Sequence, residues 1–272
     1  MRALSDMTIK QADPRWSDLR TRTASALVLA PIAIFCVWQG SAAFSVFLLA
    51  ACVGLALEWG KLAQLGLQSF GAWLLVAGLG LPLELLHFGV LPSLAAMLAF
   101  MVLTWFNYGG FAAAGIPYAG LGALSLLWLR QQDAGLADTI FLVMVVWGTD
   151  VGAYVAGRLI GGPKLAPRIS PGKTWSGSIG GLLIGAAIGA VLAGGLHSFP
   201  LRAFAAGLVL SLFAQGGDLL ESAIKRKLGV KDSGHTIPGH GGLFDRLDGF
   251  LAAAPVAAWL AFSVHGGVPL WQ

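Results

Sequence analysis

The residues best suited to chemistry lie between two apolar runs, in positions 215–250. Gln215, Asp218, Ser222 and Lys225 are spaced three, four and three residues apart. On a helix that spacing makes one polar stripe, with Glu221 at its border. Asp245 and Asp248 are three apart and share a helix face. Three carboxylates on two neighbouring helices suit a hard divalent cation, and Mg²⁺ favours few carboxylates completed by water and substrate phosphates. Lys225, Arg226, Lys231 and Arg246 interleave positive charge with these acids. The mixture fits a metal–phosphate complex better than a bare anion funnel. His235 and His240 sit in the Gly-rich loop with no Cys nearby, so hydrogen bonds that order the loop are expected rather than zinc. Gly239, Gly241 and Gly242 allow close backbone approach to a phosphate.

Two further segments carry charge. The run 147–158, WGTDVGAYVAGR, places Asp150 inside an apolar stretch. A carboxylate at the centre of a spanning helix costs about 2.5–3.5 kcal/mol, so Asp150 should face a polar interior or an interhelical partner. The loop 161–181 contains Gly172-Lys173-Thr174, which resembles the end of a P-loop. Position 167, where the first Gly should stand, is Pro167, and no preceding strand is expected, so the Walker reading fails. Lys164, Arg168 and Lys173 could hold phosphates, helped by amides of residues 175–177 at a helix start. The competing reading is a basic loop that only sets topology.

These residues must be positioned by membrane helices. The chain has 272 residues, 57% apolar and 11% charged, against about 25% charged in soluble domains. That shortfall points to an all-α, polytopic membrane bundle. Apolar runs at 23–39, 42–60, 70–86, 89–106, 110–129, 137–159, 176–197, 202–225 and 246–265 give about nine expected spans. All are expected to be helical, because lipid offers backbone groups no other partner. Residues 1–22 form a polar, basic tail ahead of an uncleaved first span. With the N-terminus inside, every Lys and Arg except Arg130 and Arg202 falls on the cytoplasmic side, and the C-terminus lies outside. The chain divides into the tail 1–22, N-terminal helices 23–136 and a C-terminal catalytic region 137–272. Gly181, Gly185 and Gly189 repeat a close-packing spacing. Cys36 and Cys52 read as small packing residues. Glu58 and Glu84 lie near span ends, where a helix-end role is expected.

A longer pattern runs through the polar segment. Ser222-x-Ile224-Lys225-Arg226 is followed by Lys231-Asp232-x-Gly234. Ile237-Pro238-x-His240-Gly241-Gly242-Leu243-x-Asp245-Arg246-Leu247-Asp248 completes it. It resembles the signature of the phosphatidate cytidylyltransferases (CDP-diacylglycerol synthases). Asp150-x-Gly152-Ala153-Tyr154 and Ser170-Pro171-Gly172-Lys173-Thr174 resemble two more segments of that family, with Gly172 where a second Lys is more usual. The likeness covers roughly the C-terminal half, and Glu58-Trp59 adds a weak match in the N-terminal half.

The resemblance implies a transferase that joins CTP to phosphatidate with Mg²⁺, giving CDP-diacylglycerol and pyrophosphate. It implies metal ligation by Asp218 and Asp245, then Asp248, and a second cation of the K⁺ type. Ser222 would bind phosphate or water beside the metal. Lys225, Arg226, Lys231 and Arg246 would contact phosphates, with Asp150, Lys173, Thr174, His240, Gly241 and Gly242 on the substrate side. Asp232 is equally well explained as a partner of Lys231. The expected setting is the bacterial inner membrane, with the site facing the cytoplasm, a homodimer, and no nucleic-acid partner. A CDP-alcohol phosphotransferase would need D-G-x-x-A-R, which is missing. A transporter of anionic solutes would show inverted repeats and a midplane site, whereas these charges gather at one face.

Overall fold

The computed structural model describes residues 14–195, 199–234, 236, 241–264 and 268–272. Its helices are α1 (Pro14–Gln39), α2 (Ser41–Leu62), α3 (Phe70–Leu85), α4 (Val90–Gln131), α5 (Gly135–Ile160), α6 (Trp175–Gly195), α7 (Pro200–Lys227) and α8 (Phe244–Val264). Within the described residues, each of the nine apolar runs lies almost wholly on helix. Among the described residues, seven helices are long and apolar enough to cross a membrane, and the apolar part of α1, Leu27–Gln39, is shorter. The chain is a multi-pass, all-α membrane bundle.

The helices differ from the nine expected runs in two places. First, α4 takes up two of the runs and breaks at Gly109, whose φ is 84°. A side chain is strained in that left-handed region, and Gly is not. A Cβ on Gly120 would lie 3.1 Å from Met97 Cε. Residues this far apart on a straight helix would be separated by about 35 Å, so the arms 90–108 and 110–131 fold back as an antiparallel pair. Second, α1 begins at Pro14, inside the stretch read as a tail. Residues 1–13 lie outside the described ones.

The structure also contains strand where only loop and helix were expected. Segments β1 (Lys164–Ala166) and β2 (Ser170–Thr174) pair as an antiparallel hairpin between α5 and α6. This hairpin lies outside the spans, and its paired strands satisfy backbone groups that no helix takes up. Because β2 runs directly into α6, Lys173 is held on an ordered strand.

Two apolar cores fill the bundle. One joins α2, α3 and α4 with Phe244 and Leu251 of α8. The other joins α5, α6, α7 and α8 with Leu270 and Trp271. Helix α8 therefore belongs to both. Gly181, Gly185 and Gly189 do serve close packing: a Cβ at Gly185 would meet Thr149 Oγ1 and Ser211 Oγ, and one at Gly181 would lie 2.7 Å from the Thr149 carbonyl. Those two hydroxyls pair at 2.6 Å, tying α5 to α7 behind α6. Large apolar side chains such as Trp38, Trp73, Phe106, Leu159 and Trp259 face outward, as lipid requires.

Candidate active site

Helix α7 carries the polar stripe into the bundle. Asp218 Oδ2 lies 2.5 Å from Lys173 Nζ of β2, and Asp218 Oδ1 accepts from Ser222 Oγ at 3.4 Å. One turn further along, Lys225 Nζ lies 3.1 Å from Glu221 Oε2 and 2.5 Å from Asp245 Oδ1 at the start of α8. Gln215 leaves the stripe functionally: its amide makes two hydrogen bonds to Ser178 of α6, accepting from Oγ and donating to the carbonyl. It joins helices instead of facing substrate.

Asp150 and Asp248 complete the cluster. Asp150 is exposed on α5 and close enough to feel the charges of Asp218 and Lys173. Asp248 interacts electrostatically with Asp218, Asp150 and Lys173, and its Oδ1 accepts from the Gly249 amide. Five carboxylates, from Asp150, Asp218, Glu221, Asp245 and Asp248, thus share two lysines, Lys173 and Lys225. Among the residues named here, carboxylates outnumber lysines.

The expected metal trio is not assembled as drawn. Among the described residues, no three acidic, His or Cys side chains converge closely enough to hold a metal ion. Asp245 has the most partners: Oδ1 meets Lys225, and Oδ2 accepts from Ser233 N, Ser233 Oγ and Gly242 N. Among the described residues, Asp218 meets two donors, Lys173 and Ser222, and Asp248 one, the Gly249 amide, so this pair is less fully engaged than Asp245. Glu221 Oε1, buried beside them, has no hydrogen-bond partner among the described residues. An acid pair with an orphaned carboxylate oxygen alongside fits Mg²⁺, which needs few protein ligands.

Other expected residues have different surroundings. Thr174 is buried, and its hydroxyl accepts from the Gly177 amide at 3.1 Å, so it caps α6. Arg226 Nε donates to the Ile169 carbonyl and ties the β-hairpin to α7. Lys231 and Asp232 are exposed, as is Arg246. Gly241 adopts φ 84°, and a Cβ on Gly242 would collide with Ser233 Oγ. These two glycines let the backbone at 241–242 come close to Ser233 and Asp245. His235, His240 and Gly239 lie outside the described residues.

Glu58 is the residue whose role the sequence hid. It is fully buried, and its carboxylate accepts from the amides of Leu243 at 2.7 Å and Phe244 at 2.9 Å. Ser233 Oγ, 3.2 Å away, donates to it as well. A helix N-terminus welcomes a negative charge. The neighbouring Trp59 packs on Phe244 and Tyr118.

Comparison with known proteins identifies the chain's relatives. The sequence model of the Cytidylyltransferase family matches residues 20–264. The chain belongs to the cytidylyltransferase family. Similar family members include the phosphatidate cytidylyltransferase of Brucella suis biovar 1 (strain 1330), 44% identical over 254 residues, covering 88% of this chain and 91% of that protein. The phosphatidate cytidylyltransferase of Pseudomonas aeruginosa is 36% identical over 277 residues, covering 92% and 100%. That of Staphylococcus epidermidis (strain ATCC 12228) is 41% identical over 153 residues, covering 56% and 58%. The family match takes in α2 as well as α5, α7 and α8, so Glu58 lies within the shared region together with the carboxylate cluster.

Proposed function

We propose that this protein condenses CTP with phosphatidate, releasing pyrophosphate and forming CDP-diacylglycerol. The observation that carries this reading is the likeness to phosphatidate cytidylyltransferases over most of the chain. The cluster on α5, β2, α7 and α8 supplies suitable chemistry. A phosphatidate oxygen attacks the α-phosphorus of CTP, and the bond to the β-phosphate bridging oxygen breaks. The attacking phosphate is anionic near neutral pH, so the difficulty is repulsion between anions.

Asp218 and Asp248 would hold Mg²⁺, which when bound neutralises phosphate charge and stabilises the leaving pyrophosphate. Lys173 and Arg226 border the cluster from the hairpin side and would engage phosphate oxygens. Lys225 has a different part, since its ammonium holds Glu221 and Asp245 in place. The basic loops favour a cytoplasmic site in a bacterial inner membrane, where CTP comes from water and the lipid phosphate from the leaflet. A homodimer is part of the same proposal.

The test uses purified protein in detergent with CTP, Mg²⁺ and short-chain phosphatidate. Pyrophosphate and CDP-diacylglycerol should appear together in equal amounts, with ATP a poor replacement. Absence of both products from folded protein would refute the reading.

A further inference from the structure

The buried carboxylate of Glu58 points to a task for the N-terminal helices that composition does not suggest. Its two oxygens grip consecutive backbone amides, those of Leu243 and Phe244, where α8 begins. The next residue is Asp245. Ser233 Oγ lies 3.2 Å from Glu58 Oε2 and 3.0 Å from Asp245 Oδ2. A hydroxyl has one proton, so the two carboxylates share a single donor and their positions are coupled. Asp245 reaches on to Lys225, and Lys225 to Glu221. One hydrogen-bonded chain therefore runs from α2 through the loop and α8 to α7.

The loop is shaped for this contact. A Cβ on Gly234 would stand 2.9 Å from Glu58 Oε1, and a Cβ on Gly54, one turn before Glu58, would stand 2.8 Å from Leu243 Cδ2. An apolar side chain at position 58 would fill the space without the desolvation cost of a carboxylate. It would leave the amides of Leu243 and Phe244 unsatisfied in a buried place.

We propose that Glu58 of α2 is a positioning residue that clamps the start of α8 and, through Ser233, fixes the Asp245–Lys225 pair beside the reacting phosphates. The proposal rests on the transfer reaction given above. It makes the N-terminal helices part of the catalytic machinery, though Glu58 itself touches no substrate.

The test compares Glu58→Gln, Ser233→Ala and the double variant with wild type, each as full-length protein in detergent. In Glu58→Gln, one amide of the Leu243–Phe244 pair faces a donor in place of an acceptor. The kcat of this variant should fall about 10–100-fold, the scale of a small misplacement of reacting groups, while KM for CTP stays within about threefold. Amide exchange in a peptide spanning 241–250 should accelerate at least about tenfold, while exchange in α5 and α6 stays at the wild-type rate. Ser233→Ala should lower kcat in the same manner, and the double variant should be no worse than Glu58→Gln alone.

A kcat for Glu58→Gln within about twofold of wild type would overturn the proposal. Exchange that rises equally in every helix would also overturn it, because Glu58 would then serve overall stability alone. Independent, multiplying losses in the double variant would break the link through Ser233. If wild-type protein formed no pyrophosphate, the functional reading would fail, and local exchange at 241–250 would still decide the clamp.

Discussion

Replacing Lys225 with Met should destabilise the protein by an amount the local structure sets. The Lys225, Glu221 and Asp245 side chains are 13%, 5% and 11% exposed. Lys225→Met keeps much of the stem's packing and removes the ammonium that bridges both acids. Breaking a buried ion pair from one side costs about 3–5 kcal/mol, because a buried charge is left uncompensated. Glu221 suffers most, since its other oxygen already has no hydrogen-bond partner among the described residues. Asp245 retains Ser233 and Gly242. At about 2–4 °C per kcal/mol, the melting midpoint should fall about 6–20 °C. The assay is thermal unfolding in detergent, followed by size-exclusion of the remaining folded protein. Adding Glu221→Gln to Lys225→Met should recover part of the loss, because it removes the stranded charge. A drop below about 2 °C, or no recovery in the double variant, would refute the reasoning.

Two other outcomes follow from the same geometry. Mg²⁺ at a hundredfold excess over its dissociation constant should add about 2.7 kcal/mol to wild-type stability, and Asp218→Asn should lose that gain along with pyrophosphate release; equal thermal shifts in both proteins would exclude Asp218 as a ligand. Gly185→Ala should cost about 1–3 kcal/mol by overpacking, since its Cβ would press on Thr149 and Ser211. Gly195→Ala, with nothing within 4 Å of its Cβ among the described residues, is the control, and equal melting points for the two would refute the packing account.

Much of this site is legible in the sequence because charge is scarce here. Asp218, Ser222 and Lys225 stand out at helical spacing in an apolar run, and the structure puts them on one face of α7. Asp150 and Lys173 look separate in the chain, yet they join that cluster because α5, β2 and α7 meet. Asp245 has partners that its spacing does not reveal. Spacing places it on a face with Asp248 but cannot show that Ser233 and Gly242 turn three donors onto it, with Lys225 of α7 as a fourth. Glu58 is harder still. Its partners lie 175 to 186 residues away, and two of them are backbone amides, which leave no mark on residue identity. The β-hairpin escapes notice because its strands are three and five residues long, too short to show a period beside Gly and Pro.

The reversal at Gly109 has a consequence for the ancestry and engineering of such bundles. Two antiparallel arms bring the chain back to the side from which it set out. For everything downstream, the pair counts as zero crossings. A hairpin of this kind can be gained, lost or exchanged without inverting α5, α7 or α8 relative to the membrane. Removing a single arm would send the carboxylate cluster to the opposite face. The parity of the crossings ahead of the site is therefore constrained even where their number is free.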